Sequence, residues 1–331
     1  MSKIVCFGEV LLRLSAHAGE MLLQSPGLET CIGGAEANVA VALSRFGHDT
    51  AVVSALPDSP LGYAARDAVR AHGVDTRAIA FRAGRMGLYF LTPGAMLRPA
   101  EIIYDRAGSV FAETESYDWP ALLAGADWLH VSGISPAVGP KPGAALLAAV
   151  RAARAAGVRV SFDGNYRASL WAQQGRDGGD VLREVLSHAD LAFADQRDVA
   201  LVLGRRELAG DREAAMQAAF AAFPQLRRVA ATVRVQHSTD HHELSATLFT
   251  RAGVVKTRSY QMQGIVERIG TGDAFAAGVL HGLQCDGWDD ARALDFGLAA
   301  AVLKHSLAGD FSPVSAAQVQ SIADGGLDVR R

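Results

Sequence analysis

Cysteine is scarce in this chain of 331 residues. There are three, Cys6, Cys31 and Cys285, and no two share a CxxC spacing. That excludes a disulfide-stapled scaffold and a thiolate zinc module, and it leaves the cysteines as small buried hydrophobes. A basic excess is also missing. Thirty-two Lys and Arg face 35 Asp and Glu, a net charge of −3, where a nucleic-acid surface would need the opposite balance. No apolar run is long enough to span a bilayer. The first residues, Met1 to Gly8, read as a strand entering a turn and not as a secretion signal, so the cytoplasm is the expected compartment. Repeats, low-complexity tracts and linkers are lacking, so residues 1–331 are expected to form one continuous domain. Two common nucleotide-binding patterns are absent as well. There is no GxxxxGK[ST], and Gly270-x-Gly272 lacks the third glycine of a dinucleotide fingerprint.

What the chain does have is half its residues hydrophobic and a fifth charged, with length for a substantial core. Apolar runs of strand length (Ile4–Phe7, Ala51–Ser54, Trp128–Ser132, Val158–Asp163, Leu191–Ala194, Val229–Val235) alternate with helix-like stretches. The latter include Ala35–Phe46, Leu61–His72, Pro142–Ala156, Asp180–His188 and Arg212–Phe220. Such alternation predicts a doubly wound α/β core with a mainly parallel sheet flanked by helices, binding its ligand beyond the carboxyl ends of the strands. From about Phe81 to Phe111 the rhythm breaks into short, turn-rich strands. With residues 10–32, this region (81–112) is expected to form a small β-sheet lid.

Two motifs carry chemistry. In Gly270-Thr271-Gly272-Asp273, glycines and a hydroxyl stand ahead of the apolar helix Ala274–Gln284. Backbone N–H groups at a helix start suit phosphate, and the adjacent carboxylate suits proton transfer. A plain Gly-rich turn with an acidic first helical turn fits the same residues. In Gly33-Gly34-Ala35-Glu36-Ala37-Asn38, two glycines allow close backbone approach and Asn38 can bond hydroxyls. A tight turn with a small-residue packing face fits these residues too.

Together, Gly33–Leu43 and Glu267–Gly278 resemble the paired signatures of the ribokinase-like (PfkB-type) carbohydrate kinases, and the likeness runs over essentially the whole chain. The resemblance implies a sugar hydroxyl as acceptor, ATP with Mg²⁺ as donor, and a monovalent cation. It also implies Asp273 as base and the amides of Gly270, Thr271 and Gly272 as an anion hole. Within that family, Gly8–Leu14, Gly87–Phe90, Ile103–Ala107, Ser161–Arg167 and Leu303–Phe311 are similar to the 2-keto-3-deoxygluconate kinases, which phosphorylate the 6-hydroxyl of a keto-deoxy acid. Gly33, Gly34, Asn38, Tyr89, Tyr104, Arg106 and Arg167 are then implied substrate contacts. Asn165, Arg234, His241 and Lys304 are implied nucleotide contacts. A guanidinium reads a carboxylate through paired, charge-assisted hydrogen bonds, so Arg106 on the lid and Arg167 past a strand end suit an acid. Arg13 stands where neutral-sugar kinases of the family commonly have Asp. Its presence suits an acid, and an exposed surface charge is the other reading. A kinase for fructose or ribose, and a silent sugar-acid sensor, are the alternatives.

The family's C-terminal signature usually begins with Asp where this chain has Glu267, a departure in a part of the site the resemblance ties to metal handling. The family's Asn-x-x-Glu motif, tied to Mg²⁺ and phosphate, appears here as Asp195-Gln196-Arg197-Asp198. Asp195 and Asp198 read either as Mg²⁺ ligands through water or as a helix N-cap with a first-turn acid. His237–Glu243 has no helical metal frame and reads as a solvated loop, which the resemblance puts near the nucleotide. Lys304 and His305 read simply as a C-terminal helix cap. Small molecules are the expected partners, with two copies pairing through lid edges.

Overall fold

The computed structural model describes residues 2–326. Its strands are β1 (Lys3–Phe7), β2 (Leu11–Ser15), β3 (Glu29–Gly33), β4 (Asp49–Pro57), β5 (Ile79–Arg82), β6 (Leu88–Thr92), β7 (Glu101–Asp105), β8 (Trp128–Ser132), β9 (Arg159–Asp163), β10 (Leu191–Phe193), β11 (Arg228–Gln236), β12 (His241–Thr250), β13 (Val254–Lys256) and β14 (Tyr260–Gln263). Ten of these form one sheet in the order β13-β12-β11-β10-β9-β8-β1-β4-β5, with β14 also paired to β12. All pairings from β5 through β11 are parallel. The central strands β1 and β8 are buried along nearly their whole length, as strands with helices on both faces must be. One face buries the helix Ala35–Arg45 with the pair Thr271–Gly282 and Asp290–Lys304. The other buries Pro140–Ala155, Gly179–Ser187 and Arg212–Ala222. The pair Thr271–Gly282 and Asp290–Lys304 packs backbone to backbone. A Cβ on Gly278 would lie 2.6 Å from the Gly297 Cα, so neither helix could approach as closely with larger residues there.

The other four strands form a separate sheet, β3-β2-β6-β7, in which only β2 and β6 run parallel. Leu11, Tyr89 and Leu91 seat it on the core beside Ile269. The strands of this sheet come from residues 11–33 and 88–105, and Phe81 belongs to β5, which pairs with β4 in the main sheet. The strands β12 to β14 are an antiparallel extension that the strand–helix rhythm did not suggest. The solvated-loop expectation for His237–Glu243 is corrected accordingly. Residues 237–240 make the turn, His241 begins β12, and His242 is fully buried because Leu244, Ala246 and Leu248 continue the same inward face. Among the described residues no helix is long and apolar enough to cross a membrane.

Candidate active site

Between the small sheet and the strand ends lies a cavity of 390 Å³. An adjoining recess of 940 Å³ shares Asp163, Asn165, Arg167, Thr232, Arg234 and Gly272 with it. Gly270 to Asp273 stand where the two meet. Gly270 has φ +77°, and a Cβ there would fall 2.3 Å from the Asp310 carbonyl oxygen, so the turn requires glycine. The turn is braced from beneath. Glu267 Oε1 accepts the N–H groups of Arg268 and Ile269, and Thr271 Oγ1 donates to the Arg268 carbonyl. The helix Thr271–Gly282 that follows has no side-chain cap. Its first N–H groups are free to meet an anion, and the helix dipole adds to the attraction.

Asp273 sits in the first turn of that helix, half-buried, with Oδ2 accepting from Asn38 Nδ2 at 2.6 Å. Burial raises its carboxyl to about 7, with the Glu36 and Asp310 charges adding to the rise and Asn38 and Arg167 opposing it. Asp163, at the end of β9, is also raised to about 7, by burial first and by Asp273 next. Glu36 is raised to about 7 by burial while the Ser132 and Ser135 hydroxyls hold it.

A carboxyl raised in this way is protonated in the folded protein where the unfolded chain has already released its proton. Its contribution to stability therefore falls as pH rises from about 4 to about 7. The buried histidines His130, His281 and His305, held well below their usual value, act in the opposite direction up to about pH 6.5. A single substitution isolates the carboxyl. In the absence of ligand, the melting temperature of Asp273→Asn is expected to exceed that of the unsubstituted protein at pH 8, with the gap closing toward pH 4. A gap that does not change with pH would contradict the raised carboxyl.

The cavity's other wall comes from the lid and the first helix. Gly34 has φ +146°, and a Cβ there would lie 2.2 Å from the Glu9 carbonyl oxygen, so this turn too is open only to glycine. Tyr89 and Tyr104 are cross-strand partners on β6 and β7, and the Tyr89 hydroxyl donates to Asp310 at 2.8 Å. Arg106 follows β7 and is 4% exposed, with its Nε donating to Glu9 Oε2 at 2.5 Å. Glu9 also accepts from Ser109, so the guanidinium has a fixed seat. Arg167 is exposed across the cavity and, among the described residues, donates Nη1 to the neighbouring Tyr166 carbonyl. The cavity wall includes Gly34, Asn38, Tyr89, Tyr104, Arg106 and Arg167.

Other expected residues lie elsewhere. Gly33 is off the wall, packed so that a Cβ would meet Asp310 Oδ2 at 2.0 Å. His241 lines neither space and faces the His237 ring. Lys304 is fully buried beneath the Gly270 turn. Arg13, read as a possible surface charge, is 3% exposed and pairs with Glu267 at 2.9 Å and Asp310 at 3.3 Å. Asp195 and Asp198 both line the adjoining recess, where they also form a capping box on the helix Gln196–Leu203, and Asp195 pairs with Arg197. Among the described residues no group of three or more His, Cys, Asp or Glu is arranged to hold a metal ion. The wall also holds Asp163, Thr232, Arg268, His305 and Asp310, which the motifs did not single out. Only Asp163 carried a usable sign, a carboxylate at the end of a core strand.

A family model described as pfkB family carbohydrate kinase matches residues 1–316. A 2-dehydro-3-deoxygalactonokinase of Haloferax volcanii is 32% identical over 326 residues, 98% of each chain. A fructokinase of Klebsiella pneumoniae is 30% identical over 309 residues, 90% of each. The crystal structure of a 2-dehydro-3-deoxygluconokinase from Thermotoga maritima superposes with a TM-score of 0.90 at 35% identity, covering 98% of both chains.

Proposed function

Because this chain belongs to the pfkB family of carbohydrate kinases, we propose that its acceptor is a six-carbon 2-keto-3-deoxy sugar acid, 2-keto-3-deoxygluconate above all, phosphorylated on O6 by ATP. The observation that carries this is the convergence of two arginines, Arg106 and Arg167, on the cavity that also holds Asp273 and the uncapped helix start. A neutral sugar offers the exposed guanidinium of Arg167 no charged partner, whereas a carboxylate does, and the seat of Arg106 on Glu9 leaves its remaining N–H groups to the same cavity. The similarity to kinases named for 2-dehydro-3-deoxy acids supports the same class.

In this mechanism Arg106 and Arg167, with Tyr89 and Tyr104, hold the carboxylate end and so bring the far hydroxyl to Asp273. Asn38 fixes one carboxylate oxygen of Asp273, and the other takes the proton. The sugar O6 attacks the γ-phosphorus, the bond to the β–γ bridging oxygen breaks, the hydroxyl proton goes to Asp273, and ADP departs. The amides of residues 270–272 meet the negative charge that grows on the transferred phosphoryl group and on ADP. Arg234, which lines both spaces, and Arg268, on the cavity wall, extend that positive surface toward the triphosphate in the recess. Mg²⁺ enters with ATP as part of the substrate and neutralises phosphate charge. Asp163 and Asp198, raised to about 7 and about 6 and facing the recess, are the groups it would hold ionised. The small sheet, acting as a lid, excludes water from the transfer. Its exposed Ile103, and Leu23, Met96 and Leu97 in the connecting segments, suit pairing of two copies through the lid.

The test is a substrate panel read by ADP release with Mg²⁺-ATP: 2-keto-3-deoxygluconate, its galactonate epimer, fructose and ribose. The acids should exceed the neutral sugars in kcat/KM. A preference for fructose would establish the neutral-sugar alternative instead, and no ADP with any acceptor would mean a silent binding protein. Arg167→Ala should lower kcat/KM for the acids by about 10- to 100-fold, the worth of a charge-assisted pair, with far smaller loss on a neutral sugar. Equal losses on both would remove Arg167 from carboxylate recognition.

A further inference from the structure

The resemblance to sugar kinases raised a monovalent cation, and the ground beneath the Gly270 turn is the place where this chain's own residues bear on it. Lys304 ends the helix Asp290–Lys304 and is 0% exposed. A simple C-terminal cap would leave the ammonium in water. Instead its Nζ donates to the carbonyl oxygens of Leu307 at 3.0 Å and Gly309 at 2.8 Å, inside the loop that follows its own helix. Its stem packs on the anion turn: a Cβ on Gly270 would meet Lys304 Cε at 3.2 Å. Burial holds the ammonium below its usual range and Arg13 adds to that, while the nearby charges of Glu267, Asp310 and Asp273 favour the charged form.

Backbone carbonyls that converge on a point, flanked by carboxylates, are the donor set of a site for a hard monovalent cation. Here those carbonyls already bond an ammonium that is covalently part of the chain. The charges are also complete. Arg13 pairs with both Glu267 and Asp310, and Lys304, which pairs directly with neither, lies close enough for its charge to act on both carboxylates. A free potassium or sodium ion would have to displace Lys304 and would leave a buried positive excess. The group is well placed to govern the phosphate site. Glu267 holds the N–H groups of Arg268 and Ile269, the Asp310 carbonyl abuts Gly270, and the carbonyls of Leu307 and Gly309 anchor the loop leading to Asp310.

We propose that Lys304 is a tethered monovalent cation. It is a positioning residue that holds the loop 307–310 against the Gly270 turn, and it makes the kinase independent of added potassium, sodium or ammonium. It acts through the turn's amides and touches neither ATP nor sugar. This rests on the kinase activity of the chain but not on which sugar is the acceptor.

Two measurements test it. First, ADP release by the unsubstituted enzyme, with whichever acceptor it turns over best, is compared in potassium, sodium and tetramethylammonium chloride at equal ionic strength. The rates should agree within about twofold, since nothing in the site remains for a free cation to do. Strong activation by potassium overturns the proposal. Second, Lys304→Ala opens the carbonyl cage. In tetramethylammonium chloride its kcat should fall by roughly 100-fold, as when one anion-stabilising group is lost. Potassium or ammonium should restore at least about tenfold of that and, independently of activity, raise the variant's melting temperature while leaving that of the parent unchanged. A variant that loses activity, yet gains neither rate nor melting temperature from small monovalent cations, would show Lys304 to be a packing residue only. If the variant is too unstable to assay, Lys304→Met keeps the stem and leaves the cage open. Loss of all ADP release by the parent in every salt would instead implicate the assignment of the reaction.

Discussion

Asp273→Asn is expected to lower kcat by about 1,000-fold or more, the upper part of the range for removing a positioned general base, while ATP binding changes little. The substitution preserves shape. An amide oxygen can still accept from Asn38 Nδ2, so the helix start and its N–H groups stay in place. What is lost is the one group in the cavity that combines a position at the helix N-terminus with a carboxyl poised near neutrality, at about 7. The parent's kcat/KM should accordingly rise with pH through about 7 and then level, as the carboxylate form accumulates. The variant's residual rate should lack that rise. Turnover near the parent level in Asp273→Asn, with ATP affinity intact by titration calorimetry, would remove Asp273 as the base. The same variant is the one expected to melt higher at pH 8, so one protein separates the catalytic role of this carboxyl from its structural cost.

Arg13→Met should destabilise the fold strongly. Removing one partner of a buried ion pair costs about 3–5 kcal/mol, because the other charge is left unpaired in a medium that solvates it poorly. Here two carboxylates lose their guanidinium at once, Glu267 and the nearly fully buried Asp310. Burial already pushes the Asp310 carboxyl upward, and Arg13 is the main force resisting it. Without Arg13 the site sheds charge by protonation, so the stability deficit should widen as pH rises from 6 to 8. Replacing Asp310 by Asn in the same chain leaves Lys304 and Glu267 as a balanced pair and should recover part of the loss, a coupling that a double-mutant cycle measures. Additive losses from the two changes would mean that the pair contributes no mutual stabilisation.

The neighbourhood of Arg13 shows how far linear reading reaches. Arg13 was notable in the sequence for the charge it brings where related kinases carry an acid. Its burial, and its partners 254 residues away at Glu267 and nearer the C-terminus at Asp310, could not be read there. Glu267 looked like a departure in metal handling, yet its oxygens brace Arg13 and two amides of the turn. Asp195 and Asp198 fit two descriptions equally well from spacing alone. The capping-box hydrogen bonds give both a role at the helix start, and both also face the recess. The antiparallel strands β12 to β14 were missed because β12 opens on the polar residues His241, His242 and Glu243, which read as a continuation of the preceding turn.

The linear order of residues was enough for whatever depends on local pattern: the strand–helix alternation of a doubly wound sheet, the two glycine turns, and the carboxylate at the start of a helix. Each follows from backbone sterics and hydrophobic periodicity within a few residues. Tertiary structure decided which charges meet. It seated Arg106 on Glu9, buried Asp163 and Asp273 so that both carboxyls rise, Asp163 further for the charge of Asp273, and buried Lys304 among carbonyls below the anion turn. Charge interactions act through space, over a few ångströms and in a dielectric set by burial. Neither separation along the chain nor residue type predicts them until the fold has brought the groups together.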